Sequence, residues 1–216
     1  MYHYEYVTRK EAMPYRDEFL EIIHAVQDVL REDFTFKYRF VGSSSRNMIT
    51  FDPTTNRGFD FDVNLYVNDP EEDYSPETIK SLLMRAIDQV AWMRGFAHCE
   101  NSTRVITLKK IALSPFPRIE CSCDFAIVHD YTDKRNKKHQ QYIHFQKSHN
   151  RYLWNEQQKG YDLEVKEKWI KKQGLWNEVL KLYLWKKNNN IGLKKKSRSL
   201  YAETINEIHK KYVLGE

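Results

Sequence analysis

The chain has 216 residues, of which 41% are hydrophobic and 14% aromatic, enough to bury a sizeable core and too apolar for a disordered segment. No apolar run reaches membrane-spanning length, and Met1-Tyr2-His3-Tyr4-Glu5 lacks the layout of a signal peptide, so a cytoplasmic protein without membrane attachment is expected. The net charge of +5 is uneven: residues 1–130 hold 15 Lys+Arg against 21 Asp+Glu, and residues 131–216 hold 20 against 9.

Taken in chain order, Phe19, Ile22, Ile23, Val26 and Leu30 recur on one helical face, which predicts a helix from Pro14 to Leu30. Phe34 to Phe40 alternates apolar and polar residues and reads as a strand that runs out through Gly42-Ser43. A chain that leaves a strand through Gly-Ser and enters a helix offers backbone N–H groups and the helix dipole to an anion, and Ser43 adds a hydroxyl. Residues 51–57 read as a loop. Arg57 at its end is placed either to seat a phosphate group or to be solvated. From Gly58 to Val67 the alternation is strict: Phe59, Phe61, Val63, Leu65 and Val67 form a core face, and Asp60 and Asp62 lie on the other, about 7 Å apart.

A loop through Asn68-Asp69-Pro70 leads to Pro76, where a helix starts with Ile79, Leu82, Leu83, Ala86, Ile87 and Val90 on one side. Two more strands follow, Thr103 to Ile111 and Arg118 to Val128, joined by Ser114-Pro115-Phe116-Pro117. In the second, Cys121, Cys123, Phe125 and Ile127 face inward, while Glu120, Ser122 and Asp124 face outward. The three cysteines of the chain, Cys99 included, read as buried thiols of a reducing compartment, since no fourth ligand at suitable spacing makes a metal site of them.

Residues 131–151 are polar and basic. His129, His139, His144 and His149 there read as loop and surface histidines in preference to zinc ligands. From Leu163 the pattern turns helical: Val165, Trp169, Trp176, Val179, Leu180 and Tyr183 make a stripe broken at Gly174. Asn188 to Gly192 ends it, and Ser199 precedes a last helix carrying Tyr201, Ile205, Ile208 and Tyr212. The expected class is α+β. A mixed-sheet palm over residues 1–130, with helices on one face, is followed by a basic, mainly helical lobe over residues 131–216.

Three carboxylates presented by two strands form a costly like-charge cluster unless a cation is shared among them. Hard oxygen ligands of this kind suit magnesium, which also contacts phosphates. Each piece alone has a plainer explanation: Gly-Ser as a turn, Asp-x-Asp as a solvated strand face or part of a calcium loop. The alternation of Phe61 and Val63 and the lack of EF-hand spacing speak against the loop.

Gly42-Ser43 opening a short helix, then Asp60-x-Asp62, then Asp124 on a later strand, resembles the DNA polymerase β-type nucleotidyltransferase superfamily. The interval from Ser43 to Asp60 is long for that pattern and holds the loop of residues 51–57. A looser resemblance joins Trp176 to Lys187, followed by Ser199-Leu200-Tyr201-Ala202-Glu203, to the helical lobe of the oligoadenylate synthase, CCA-adding and bacterial second-messenger synthase branches. What these resemblances imply is transfer of a nucleoside monophosphate from an NTP to a hydroxyl, with release of pyrophosphate. Asp60, Asp62 and Asp124 would bind Mg²⁺ or Mn²⁺, Gly42 and Ser43 would lie at the phosphates, and Lys181 or Lys186, with Ser199, would meet the triphosphate. The basic C-terminal part would then help draw in a metal-bound triphosphate or a nucleic acid, although scattered lysines on helices also serve solubility alone. The acceptor is left open among a nucleotide, an RNA end, a small hydroxylated molecule and a protein. The rival readings are a catalytically inactive, antitoxin-like binding module of the same fold, and a basic nucleic-acid-binding protein.

Overall fold

Thr8 accepts a hydrogen bond from the Glu11 backbone N–H, and Glu11 reaches back to the Thr8 N–H at 2.8 Å, forming a capping box that starts a helix at this point. Helix α1 therefore runs Arg9–Val29 and carries Pro14 inside it, where the spacing of apolar residues alone placed the start. The computed structural model describes residues 2–55, 57–69, 72–113, 116–157, 163–192 and 195–214. Asn56 of the expected loop, Pro70, the Ser114-Pro115 part of the strand connection and Lys194 lie outside the described residues.

The described chain comprises two compact units. One contains residues 7–49 and 56–157, the other residues 1–6, 50–55 and 158–216. The first is built on a seven-stranded mixed sheet. Its members are β2 (Thr35–Val41), β4 (Phe59–Asn68), β5 (Glu100–Asn101), β6 (Ile106–Ala112), β7 (Arg118–Thr132), β8 (Lys138–Gln146) and β9 (Arg151–Glu156). The order is β2-β4-β7-β6-β5, with β8 pairing β7 and β9 pairing β8. Strands β4 and β7 are parallel and all other pairs antiparallel.

Alternation buries Phe59, Phe61, Val63 and Leu65 of β4 and Cys121, Cys123, Phe125 and Ile127 of β7. Helices α1 and α2 (Pro76–Trp92, capped by Ser75) cover that face. Ile22, Ile23 and Val26 of α1 and Ile87 of α2 meet Phe36, Leu65 and Phe125 of the sheet. Phe19 packs edge-on against Phe61. The helices thus stand on one side, and the carboxylate face of the central strands is turned away from them.

Strands β8 and β9 stand where the sequence is polar and basic, in a part expected to belong to a mainly helical lobe. Of the four histidines, His129 lies on β7, His139 and His144 lie on β8, and only His149 sits in a turn. The alternation of Tyr142 and His144 with Ile143 and Phe145 was present, but only Ile143 of this stretch is fully buried, so the contrast between faces is weak.

In the second unit, β1 (Glu5–Tyr6) pairs with β3 (Thr50–Phe51), so the expected loop after Ser43 begins with a strand. Helices α3 (Glu164–Lys172), α4 (Trp176–Asn188) and α5 (Ser197–Leu214) bury Ile170, Val179, Tyr183, Leu200, Ile205 and Ile208. Gly174, at φ 72, separates α3 from α4. Val165, expected in the apolar stripe, is 66% exposed. Asn188 exchanges hydrogen bonds with the Tyr4 backbone, and the Tyr6 hydroxyl donates to the Leu180 carbonyl at 2.8 Å. Among the described residues no helix is long and apolar enough to cross a membrane.

Candidate active site

Parallel pairing sets the register of the site. Asp62 is the partner of Asp124, and Asp60 is the partner of Ser122, so all three carboxylates project from the same face of two adjacent strands. Two glycines hold this arrangement. A Cβ on Gly58 would lie 2.0 Å from the Glu120 carbonyl oxygen, so only glycine lets β4 approach β7 at its start. Gly42 follows β2 at φ 66, and a Cβ there would lie 2.2 Å from Asp62 Oδ2. The turn therefore lies directly against the Asp62 carboxylate.

The expected helix after Gly42-Ser43 is a single 3-10 turn, Ser44–Arg46, closed by Asn47 in the left-handed conformation. It is too short to carry the macrodipole of an α-helix, which corrects that part of the expectation. Ser43 makes no capping hydrogen bond, while the Ser44 and Ser45 hydroxyls donate to the Val41 and Gly42 carbonyls. Arg46 donates to the Gly42 carbonyl at 2.8 Å, and its charge opposes the rise in the pKa of Asp62.

Burial, with the nearby Asp124 and Asp60 charges, pushes the Asp62 carboxyl up to about 6. Burial also raises Asp124, against a hydrogen bond from the Thr107 hydroxyl at 2.6 Å and the Lys109 ammonium. Asp60 accepts a hydrogen bond from the Ser122 hydroxyl. Hard carboxylate oxygens whose ionisation is disfavoured by burial and by one another fit a divalent cation of the magnesium type. Among the described residues no three His, Cys, Asp or Glu side chains close on one point.

Arg46, Thr107 and Lys109 were absent from the sequence reading. Arg46 lies four residues past Gly42, and Thr107 required the antiparallel register that sets it opposite Asp124. Arg57 is exposed. The remaining candidates lie in the helical unit. Lys186, with a side chain 14% exposed, pairs with Glu207 at 2.5 Å; Lys181 is 76% exposed and 3.4 Å from Glu178. Ser199 sits inside the first turn of α5 and does not precede the helix.

No protein-family model matches the chain, and no curated protein matches it in sequence. Solved structures do match. The STING-associated CdnE c-di-GMP synthase from Capnocytophaga granulosa superposes with a TM-score of 0.61 at 15% identity, over 98% of this chain and 64% of its own. The CdnE cyclic dinucleotide synthase of Elizabethkingia meningoseptica, solved with GTP and Apcpp, gives 0.52 at 14% identity over 93% and 71%. CdnC of E. coli MS115-1, solved with ATP, gives 0.53 at 12% identity over 94% and 61%. This chain thus spans between 61% and 71% of the length of these three. The likeness establishes architecture alone: the chain shares the α+β nucleotidyltransferase fold of these bacterial structures.

Proposed function

We propose that this chain is a nucleotidyltransferase that moves a nucleoside monophosphate from an NTP to a hydroxyl acceptor and releases pyrophosphate. The observation that carries the reading is the register of Asp62 with Asp124, with Asp60 on the same face and the Gly42–Ser43 turn packed against Asp62, in a nucleotidyltransferase fold. Asp60, Asp62 and Asp124 would hold Mg²⁺ or Mn²⁺, which when bound neutralises phosphate charge and favours in-line displacement at the α-phosphorus. The residues of the chain supply positioning. Gly42 allows the turn to approach, Ser43 offers its hydroxyl to a phosphate oxygen, and Arg46 braces the turn through the Gly42 carbonyl. Ser122 and Thr107 orient the Asp60 and Asp124 carboxylates. For the triphosphate, Lys181 or Lys186, each paired with a glutamate of its own unit, keeps the role that the resemblance assigns. Ser199 keeps the role that the resemblance assigns it.

A non-catalytic binding module of the same fold is the second reading, because a fold by itself does not carry turnover. Pyrophosphate release from each of the four NTPs with Mg²⁺ or Mn²⁺, with product masses, separates the two readings. Turnover that disappears in Asp60→Ala/Asp62→Ala supports transfer. NTP binding without release, across the nucleotide, RNA, small-molecule and protein acceptors tried, supports the binding module.

A further inference from the structure

We propose that the sheet unit carries a second ligand site, for a nucleotide, on the face of the sheet opposite the three carboxylates. A cleft of about 530 Å³ is lined by Arg9 and Arg16 of α1, Phe40 of β2, and Ser44 and Ser45 of the turn. The buried Phe61 also lines it, and Phe61 points to the side of β4 away from Asp60 and Asp62, which fixes the face.

The charge of this cleft is one-sided. Arg9 and Arg16 project from α1 with no carboxylate in the lining, and neither has an ion-pair partner among the described residues; Arg39, in register with Asn64, sends its side chain to the carboxylate face. This is not a general property of α1: Glu18 on the same helix pairs with Lys110 at 2.5 Å, and Glu21 pairs with Arg94. Arg9 and Arg16 are seven residues apart, two turns along one helical face and so about 10 Å from each other, a spacing that suits more than one phosphate group. The Arg16 guanidinium lies 4.6 Å above the Phe40 ring centroid. A guanidinium seated over one ring can stack a second aromatic group, such as a base, on its free side. The Ser44 and Ser45 hydroxyls spend their protons on the Val41 and Gly42 carbonyls and keep lone pairs for ribose or base donors. The volume lies within the range of small-ligand pockets, roughly 300–1,000 Å³.

Multiple phosphates, a flat ring and hydroxyls together describe a nucleotide. Inorganic pyrophosphate would leave the aromatic wall unused, and a polynucleotide would be held along an extended basic surface, where here two arginines supply the charge. Ser44 and Ser45 follow directly on Gly42-Ser43, so a ligand here touches the same turn that packs on Asp62. The site stands independently of turnover at the carboxylates.

The test is binding of ATP and GTP to the full chain in EDTA, by calorimetry, for the parent, Arg9→Gln, Arg16→Gln and Asp60→Ala/Asp62→Ala. The expected result is metal-independent binding that each arginine variant weakens roughly tenfold or more and the aspartate variant leaves unchanged. Arg9 is exposed, so Arg9→Gln keeps the test intact if Arg16→Gln, which loses its packing on Phe40, fails to fold. Absence of metal-independent binding overturns the proposal, as does binding that the arginine variants do not weaken. Pyrophosphate binding as tightly as ATP removes the nucleotide from it, and arginine-dependent binding of a 20-nucleotide strand without ATP binding assigns the cleft to polynucleotides instead.

Discussion

Strands β4 and β7 belong to the same sheet as β8 and β9, yet the two pairs are stabilised differently. The central pair buries Phe61, Val63, Cys123 and Phe125 under two helices and presents carboxylates on the other face. The outer pair closes over a lysine. Lys80 of α2 is 1% exposed, donates to the Ser102 carbonyl at 2.7 Å, and lies 5.9 Å from the centroids of Phe145 on β8 and Tyr152 on β9. Those two rings stack at 4.4 Å. Nearby, Asn101 Oδ1 is buried without a hydrogen-bond partner, although its amide N–H reaches the Tyr152 hydroxyl at 2.7 Å. A purely apolar core fixes register tightly, because a slip of one residue would expose all of it. A polar one tolerates a weaker pattern and carries titratable charge. The difference teaches where the molecule has spent its rigidity: under the carboxylates.

The largest expected effect falls on the central pair. Asp124→Asn should reduce nucleotidyl transfer by roughly a hundredfold or more while leaving the melting temperature unchanged or higher, because it removes a partner in the repulsion that raises Asp62. An equal loss of turnover and of stability would mean that the carboxylate is structural. Gly58→Ala should lower the melting temperature by roughly 5 °C or more, since its Cβ would fall 2.0 Å from a β7 backbone oxygen that cannot move independently. Gly42→Ala meets a side chain, Asp62 Oδ2 at 2.2 Å, and should cost roughly tenfold in turnover with a smaller thermal effect. If the two glycine variants behave alike, the separation of scaffold from site is wrong.

The smallest effect belongs to the outer pair. Burial, helped by the Lys147 charge, lowers the Lys80 ammonium to about 8 from an ordinary 10.5. Below pH 8 the folded chain keeps a charge that burial disfavours. Between about 8 and 10.5 the folded lysine is neutral while the unfolded one still holds its proton, so the destabilisation fades as pH rises through this window. Lys80→Met should therefore raise the melting temperature at pH 7 by roughly 2–4 °C, an advantage that shrinks from pH 8 toward pH 10. Melting curves across that range decide it. A variant less stable than the parent at pH 7 would show that the bond to the Ser102 carbonyl outweighs the buried charge.

The same contrast explains how much could be read from sequence. The alternation in β4 and β7 placed Asp60, Asp62 and Asp124 on one face because apolar and polar positions differ sharply there. In β8 and β9 almost every side chain is half-buried, so period-2 contrast is faint, and a lysine does the work of a core residue. The start of α1 was written in the chain as Thr8-x-x-Glu11, a cap that outranks the apolar spacing further on. Thr107, Ser122 and Arg46 act through register and turn geometry, which no local pattern encodes.

The most direct measurement is pyrophosphate release under Mg²⁺ for the parent, for Asp62→Asn, and for Asp130→Asn, a carboxylate on β7 that is exposed and bonded to Gln140. The account predicts that Asp62→Asn abolishes release and Asp130→Asn leaves it intact. Release from Asp62→Asn at the parental rate would contradict the assignment of the carboxylate face as the site of nucleotidyl transfer.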